Sequence, residues 1–211
     1  PFQENTYVVS DEGGECIVID AGNNSAQEDG ALVKYIEQNG LKPVMAVNTH
    51  GHVDHLLGVG FVKEKFGVPF AVRSEDNFLV ESCETHGALY GFNVRNVPAA
   101  EVDLAGEHEI KLGGTVFKLI HTPGHTPGHG CLYEPEGKVL FTGDTLFRES
   151  IGRTDLPGGD YSWIMKSILQ NIMPLGGDVE IYPGHGPKST IGHEMLYNPF
   201  ITEVINNEVA Y

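Results

Sequence analysis

His50-Gly51-His52-Val53-Asp54-His55 places four strong metal donors within six consecutive residues. Imidazole and carboxylate groups suit zinc, iron or manganese, and a compact loop can direct alternate side chains towards two adjacent cations. An apolar run over residues 44–47 precedes this stretch, and apolar residues at helical spacing follow it up to Gly67. The pattern therefore predicts a metal-binding loop between the end of a strand and the start of a helix.

Three later segments repeat one pattern, in which a predicted strand ends in a tight loop that bears a single donor. The donors are His125 in Thr122-Pro123-Gly124-His125-Thr126, Asp144 in Thr142-Gly143-Asp144-Thr145, and His185 in Tyr182-Pro183-Gly184-His185-Gly186. Proline and glycine sharpen such turns, and a donor at a strand end is held rigidly, as a metal site requires. Each segment alone is weak evidence. Together with the first cluster they predict one site with seven donors.

The rest of the chain alternates short β-rich runs with amphipathic helices and contains no low-complexity linker. A hairpin is predicted over residues 6–19, followed by a helix that begins at a capping box in residues 25–28 and ends at Gly40. Residues 75–96 are predicted to form a helix and a loop. Residues 161–172 are predicted to form a helix behind an Asp160 cap, with Tyr161 on its buried apolar face. This pattern and the 40% hydrophobic content favour one compact domain.

Charge and cysteine content exclude several classes of function. The formal net charge of −16 repels polyanions, which require clustered Lys and Arg, so a nucleic-acid substrate is not expected. Cys16, Cys83 and Cys131 form neither a zinc knuckle nor a disulfide framework, and we expect buried, reduced thiols. The sequence has neither an apolar run of membrane-spanning length nor a secretory signal pattern. We therefore expect no membrane partner and a cytoplasmic location.

The donor pattern resembles that of the metallo-β-lactamase superfamily, in which His-x-His-x-Asp-His is followed by a later His, a bridging Asp and a final His. The resemblance covers essentially the whole chain and implies an α/β fold of the αββα type, a sandwich of two mixed β-sheets flanked by helices. It also implies a two-metal site. The implied ligands are His50, His52 and His125 for the first metal, Asp54, His55 and His185 for the second, and Asp144 as the bridge. The expected cofactors are two divalent transition metals, zinc in first place, with iron or manganese as alternatives.

Three segments, residues 1–7, 19–22 and 143–147, look like glyoxalase II and its single-domain bacterial relatives. We expect residues 1–211 to form a single metallo-β-lactamase-fold domain with an incomplete N-terminus, since Pro1 is not a natural start. The 26 residues after His185 are too few for the helical domain with which glyoxalase II helps to hold glutathione. Residues 151–155 are also similar to persulfide dioxygenases. A mononuclear iron dioxygenase therefore stays an alternative, as does a phosphodiesterase or lactonase on the same scaffold.

The expected activity is hydrolysis of a small thioester, an acylglutathione or a related compound, by a binuclear metal-dependent hydrolase. Two divalent cations lower the pKa of a shared water from ~15.7 to near 7 and polarise the carbonyl, so that a bridging hydroxide attacks and a thiolate leaves. Asp54 is the candidate acceptor of the water's proton, and Asp144 is catalytic as the bridge. Arg153 could hold a substrate carboxylate in a bidentate contact, and Asp20 could orient a ligand histidine. His129, like His121, is interpreted as structural, and the oligomeric state is left open.

Overall fold

The computed structural model describes residues 2–106 and 108–209, and within them two β-sheets lie face to face. The first sheet has the order β1-β2-β3-β4-β5, with β1 antiparallel to β2 and the other pairs parallel. Its strands are β1 (Tyr7–Ser10), β2 (Glu15–Ile19), β3 (Lys42–Val47), β4 (Phe70–Val72) and β5 (Val102–Asp103). Pro1, which begins the glyoxalase-like segment, lies outside the described residues.

The second sheet has six strands, of which β12 and β9 pair in parallel and the other neighbours pair antiparallel, in the order β13-β12-β9-β8-β7-β6. Its strands are β6 (Glu109–Leu112), β7 (Thr115–His121), β8 (Gly130–Glu134), β9 (Val139–Gly143), β12 (Glu180–Pro183) and β13 (Ser189–Thr190). A small hairpin pairs β10 (Leu146–Phe147) with β11 (Ser150–Ile151). Because β7, β9 and β12 run in the same direction, their carboxyl ends meet at one edge of the sheet.

Helices cover the outer faces of both sheets. The helices are α1 (Ala26–Gln38), α2 (Val53–Leu56), α3 (Val59–Phe66), α4 (Asn77–Glu81), α5 (Cys83–Leu89), α6 (Tyr161–Ser167), α7 (Ile191–Tyr197) and α8 (Pro199–Val209). One apolar core lies between the first sheet and α1 to α5, a second lies between the second sheet and α6 to α8, and a third joins the two sheets. This order of layers is the αββα sandwich that the resemblance implied.

Local sequence signals account for several of these elements. Ser25 begins α1 as its N-cap, because its side chain accepts a hydrogen bond from the Glu28 backbone N–H. The Glu28 carboxylate reaches back to the Asn24 N–H, one residue before the cap. Ile17, in the centre of β2, is fully buried, as expected for a strand covered on both faces.

Two predicted helices differ from those in the structure. The helix after the first donor cluster is split into α2 and α3, because the Gly58 N–H donates to the Ala21 carbonyl (2.7 Å) instead of continuing the helical ladder. The predicted helix over residues 161–172 is α-helical only to Ser167 and then widens into a π-turn over Ile168–Ile172. The prediction that Tyr161 lies on the buried face is wrong, since its side chain is 49% exposed.

Residues 75–96 contain a 3₁₀ turn (Ser74–Asp76), α4, α5 and then a loop, so the predicted helix and loop are present with one more helix than expected. All three cysteines are buried and free, as predicted. None of the helices in the described ranges has both the length and the apolar character needed to span a bilayer.

Candidate metal centre

Seven side chains from the predicted donor set converge at the common edge of the two sheets. Potential ligand atoms lie within 4.8 Å of one another in a first donor group (His50, His52 and His125) and in a second donor group (Asp54, His55 and His185). Asp144 lies between the two groups. Its Oδ2 is 3.5 Å from His125 Nε2 and 3.5 Å from His185 Nε2, and its Oδ1 is 3.5 Å from His55 Nε2.

The ends of four strands bring these donors together. His50 follows β3, Asp144 follows β9, and His185 follows β12 after a short turn. His125 lies in the connection between β7 and β8, and His52 is the N-cap residue of α2, so the later donors of the first cluster project from a helix start. Backbone hydrogen bonds tie these loops to each other. The Gly184 N–H donates to the Gly143 carbonyl (2.8 Å) and the Gly130 N–H to the Thr49 carbonyl (2.8 Å).

A chain of hydrogen bonds beneath the first cluster orients His50. Asp20 accepts hydrogen bonds from the Thr49 backbone N–H (2.7 Å) and from the Thr49 hydroxyl (2.7 Å). Because that hydroxyl donates to Asp20, its oxygen accepts from His50 Nδ1, 3.0 Å away. This arrangement places the proton of neutral His50 on Nδ1 and leaves the lone pair of Nε2 directed into the site.

Two other histidines are held by a hydrogen bond at one ring nitrogen in a similar way, and a third makes an ionic contact there. His125 Nδ1 donates to the Arg153 carbonyl (2.8 Å), and His185 Nδ1 donates to the Phe2 carbonyl (3.0 Å). His55 Nδ1 lies 3.1 Å from Asp20 Oδ2, a close ionic contact that lacks hydrogen-bond alignment. Asp20 therefore supports His50 through Thr49 and lies directly against His55 of the second group, so its predicted role in orienting a ligand histidine is compatible with its position. In each ring Nε2 is left to face the centre.

Buried polar atoms without partners mark the centre itself. Among the described residues, His50 Nε2, His55 Nε2 and Asp144 Oδ1 are buried and accept or donate no hydrogen bond. His52 Nδ1 and His125 Nε2 point at each other from 2.8 Å. Leaving such groups unpaired is costly, whereas a cation would satisfy all of them at once. The donor set, imidazole nitrogens and carboxylate oxygens, fits divalent transition metals.

Comparison with known proteins decides the family. The family model described as the metallo-β-lactamase superfamily matches residues 1–185. The chain belongs to the metallo-β-lactamase superfamily. Among relatives in this superfamily, the hydroxyacylglutathione hydrolase GloC of Haemophilus influenzae is 38% identical over 204 residues, which cover 95% of this chain and 93% of that protein.

Two solved structures of the superfamily resemble this chain over nearly its whole length. The B3 metallo-β-lactamase BLEG-1 is 35% identical, with a TM-score of 0.88 and 96% of each chain covered. TTHA1623, crystallised in a di-iron-bound form, is 36% identical, with a TM-score of 0.85 and with 95% of this chain and 96% of that chain covered. These likenesses confirm the predicted family and the αββα fold. The chain is thus a member of a metallo-hydrolase superfamily, and its His and Asp cluster is capable of binding metal.

The electrostatics of this superfamily member favour neutral histidines in the first donor group. Burial, followed by the positive charges of neighbouring histidines, holds the pKa of His50 well below its usual value. Burial and the charge on His125 lower the pKa of His52 to about 3. A neutral imidazole is the form that can offer a lone pair to a cation.

The second donor group carries more negative charge. Burial lowers the pKa of His55, but the charges of Asp144, Asp54 and Asp20 outweigh it and raise that pKa well above its usual value. The Asp144 pKa is lowered, because the positive charges of His55, His125 and His185 outweigh the effect of burial. Asp144 therefore carries its charge at neutral pH, as a carboxylate between two cations would.

His129 takes part in the site, and the interpretation of this residue as only structural missed that contact. It is fully buried and stacks on His50, with ring centroids 5.0 Å apart. Its Nε2 accepts the Asp144 N–H (3.0 Å), and its Nδ1 lies 2.9 Å from the hydroxyls of Thr122 and Thr145. A signal was available, because Pro127-Gly128-His129 repeats the Pro-Gly-His turn that carries His125.

Arg153 and His121, which the sequence singled out, contribute no side chain to either donor group. The Arg153 guanidinium makes a bidentate contact with the Asp155 carboxylate, with both N···O distances 2.7 Å, so its role in binding a substrate carboxylate stays a prediction. The Arg153 backbone, in contrast, orients His125. His121 Nε2 donates to the Pro127 carbonyl (2.9 Å), outside both donor groups.

Proposed function

We propose that this chain is a two-metal hydrolase that cleaves small thioesters, such as acylglutathione or a related compound. The observation that carries the proposal is the position of Asp144, whose two carboxylate oxygens face donor nitrogens of both groups from 3.5 Å. A carboxylate shared in this way brings two cations close enough to act on one substrate.

In this proposal His50, His52 and His125 would hold a first metal, Asp54, His55 and His185 would hold a second, and Asp144 would be shared between the two groups. Bound together, two divalent cations supply a water whose pKa falls towards 7 and a Lewis acid for the substrate carbonyl. The chain's residues hold this arrangement rigid, since the opposite nitrogens of His50, His125 and His185 are all engaged by oxygen atoms. That rigidity keeps the reorganisation of the site small during reaction.

Two proton transfers have to be explained in the proposed reaction, the loss of a proton from water and any protonation of the leaving group. Asp54 lies 3.2 Å from His185 Nε2 and keeps a lowered pKa, because the charge of His55 and the contact with His185 outweigh burial. We assign Asp54 as the acceptor of the proton released from water, in addition to its ligand role. A thiolate is stable without protonation at neutral pH, so a thioester needs no further general acid from the protein.

Zinc is the proposed metal in both positions, with iron and manganese as alternatives that the same ligands accept. The di-iron form of TTHA1623 supports iron as the first alternative. The name of the Haemophilus influenzae relative supports an acylglutathione as the thioester. The similarity to the B3 enzyme BLEG-1 favours a second candidate, hydrolysis of a β-lactam, which the same attack on a carbonyl would achieve.

A reconstitution experiment tests the proposal. The metal-free protein is loaded separately with zinc and with iron, and each form is assayed under argon and under air. The panel contains S-lactoylglutathione, a simple acyl thioester, a chromogenic β-lactam, a phosphodiester and glutathione persulfide. We expect two zinc ions per chain and oxygen-independent thioester cleavage that releases one thiol for each acid formed.

Other outcomes reassign the function. A zinc protein that cleaves only the β-lactam would support the second candidate. An iron protein that consumes oxygen with glutathione persulfide, while the zinc protein cleaves no thioester, would make the chain a dioxygenase. A reproducible stoichiometry of one metal per chain would contradict the two-metal site.

A further inference from the structure

Asp76 is a buried carboxylate that belongs to neither donor group, yet it joins the two loops that carry the first group. It is the last residue of the 3₁₀ turn Ser74–Asp76, directly before α4, and it is 0% exposed. A buried, unpaired carboxylate would be costly, so its partners account for its position. All of these partners lie in the loops that carry the metal donors.

Three hydrogen bonds connect Asp76 to these loops. Asp76 Oδ2 accepts from the Gly51 backbone N–H (2.9 Å) and from the Thr126 hydroxyl (2.7 Å), and Oδ1 accepts from the Gly128 backbone N–H (2.6 Å). Gly51 lies between His50 and His52, and Thr126 directly follows His125. One side chain therefore ties the His50–His52 segment to the loop that carries His125.

Glycine at two of these positions allows the close approach. A Cβ atom at Gly51 would lie 3.0 Å from the Asp76 carbonyl oxygen and 2.9 Å from the Leu79 Cβ. A Cβ atom at Gly128 would lie 2.7 Å from Asp76 Oδ1. Both loops thus lack side chains where they reach the carboxylate, and each loop offers it a backbone N–H.

The second donor group has different supports. His55 lies against Asp20, and His185 donates to the Phe2 carbonyl. Within the described residues, the side-chain hydrogen bonds that Asp76 accepts come only from Gly51, Thr126 and Gly128. The position of His52 Nδ1 relative to His125 Nε2, now 2.8 Å apart, depends on the two loops that Asp76 holds.

We propose that Asp76 is a positioning residue that sets the spacing of the first donor group, and thereby its metal affinity, without contacting a metal. The inference rests on the ligand assignment of the proposed function. Residues that orient metal ligands typically change metal affinity about 10- to 100-fold when they are replaced. We expect Asp76 to act mainly on the first group, because its hydrogen bonds meet the backbone directly beside His50, His52 and His125, whereas Asp54 and His55 lie further along, in α2.

Asp76→Asn is the informative substitution, since it keeps the size of the side chain. An amide has one acceptor oxygen, so its NH₂ group would face at least one of the three donors and that hydrogen bond would be lost. Thr126→Val is a milder second variant that removes only the hydroxyl bond. Thr126→Ser restores a hydroxyl and is expected to restore metal affinity.

Zinc binding at each donor group is measured separately by placing Asp76→Asn in two backgrounds. His185→Ala weakens the second group and leaves the first, whereas His125→Ala weakens the first and leaves the second. Zinc affinity is measured on each metal-free protein by competition with a chromophoric chelator. We expect Asp76→Asn to weaken zinc binding at least tenfold in the His185→Ala background and less than threefold in the His125→Ala background.

Asp11→Asn is the matched control. Its carboxylate also accepts a backbone N–H, from Glu15 (2.8 Å), but in the turn between β1 and β2, away from Asp76 and the donors. Zinc affinity of the Asp11→Asn protein should equal that of the parent in both backgrounds. Urea unfolding of the metal-free variants records any loss of stability separately.

The outcomes distinguish the inference from the assignment on which it rests. If the parent protein binds no zinc, the proposed ligand groups are wrong. A second outcome is that the parent protein binds two zinc ions while Asp76→Asn weakens zinc binding equally in both backgrounds, or in neither. In that case Asp76 does not position the first group. An equal effect of Asp11→Asn would also overturn the inference, because it would show a general response of the fold.

Discussion

The two donor groups share Asp144 but differ in enclosure and in charge. In the first group, His50 is fully buried and His125 is 3% exposed, and all three donors are imidazoles. In the second group, His55 is fully buried, but the His185 side chain is 24% exposed and Asp54 contributes a carboxylate. The first group is therefore the more enclosed and consists of imidazoles alone, whereas the second is more exposed and includes a carboxylate.

This difference indicates a division of roles at the proposed centre. A closed shell fixed by packing retains a cation and positions it, and an open shell leaves room for a substrate and for exchange of ligands. The supports agree with that division, since the first group is held from inside the fold by Thr49 and Asp76. The second group is held partly by the Phe2 carbonyl near the start of the chain.

The largest expected effect comes from replacing Asp144, the residue that both donor groups share. Asp144→Asn keeps the shape of the side chain but removes the charge that both groups share, so both metals should bind more weakly. We expect catalytic efficiency to fall about a thousandfold, equivalent to ~4 kcal/mol of transition-state stabilisation. Steady-state kinetics and metal analysis measure the two effects. Asp178→Asn, at the exposed partner of Lys138, is the control. A loss of only a few-fold in Asp144→Asn would show that Asp144 does not bridge.

A smaller effect is expected from His129, which accepts the Asp144 N–H and stacks on His50 of the first group. His129→Leu leaves the Asp144 N–H and two threonine hydroxyls without their partner, so the bridging carboxylate should move. Activity should fall about 10- to 100-fold, as is usual when a ligand loses its support. His121→Leu removes a comparable contact outside both groups and should change turnover less than threefold. Equal losses in the two variants would contradict a role for His129 at the site.

Metal removal tests the difference in enclosure directly. A chelator should remove the metal of the more exposed second group first, and more slowly that of the more enclosed first group. Stopped-flow release of zinc to an indicator should therefore show two phases. His185→Ala should lack the fast phase and keep the slow one. A single phase in the unaltered protein would mean that the two shells hold their metals equally.

The last prediction concerns stability instead of activity or metal binding, and it involves Glu4, which lies beside the second group. Burial raises the pKa of Glu4 from its ordinary value of 4.5 to about 9, with Asp20 adding to the rise and His55 opposing it. Between these values the folded protein retains a proton that the unfolded chain has lost. The contribution of Glu4 to the free energy of unfolding is therefore fully present below pH 4.5. It is lost as the pH rises towards 9, by up to ~1.4 kcal/mol per pH unit.

Glu4→Gln cannot ionise and should remove that slope in the metal-free protein. Urea unfolding at pH 6, 7 and 8 measures it, and the variant should gain stability relative to the parent as pH rises. Glu136→Gln, on an exposed turn, should leave the slope as it is. If Glu4→Gln and its parent show parallel pH dependence, Glu4 is already ionised in the folded protein.

Much of the architecture could be predicted from local signals. The hairpin of β1 and β2, the start of α1 at Ser25 and the strand ends before His50 and Asp144 follow from turn residues, capping and apolar runs. The break between α2 and α3 could not, because it depends on the Ala21 carbonyl, which reaches Gly58 only after the chain has folded. The exposure of Tyr161 could not be predicted either, because the spacing of apolar residues does not fix the width of the helix face that becomes buried.

The sequence by itself determined which residues can act as donors, because the dense cluster at residues 50–55 and the three later turns together match the order of donors in one superfamily. Only the tertiary structure decided how the donors are supported. Asp20 lies 29 residues from Thr49 in sequence, Asp76 lies 52 from Gly128, and His129 lies 15 from Asp144. Such contacts arise where the strand ends of two packed sheets meet, and no local pattern records them, because hydrogen bonding between distant segments depends on the fold that brings them together.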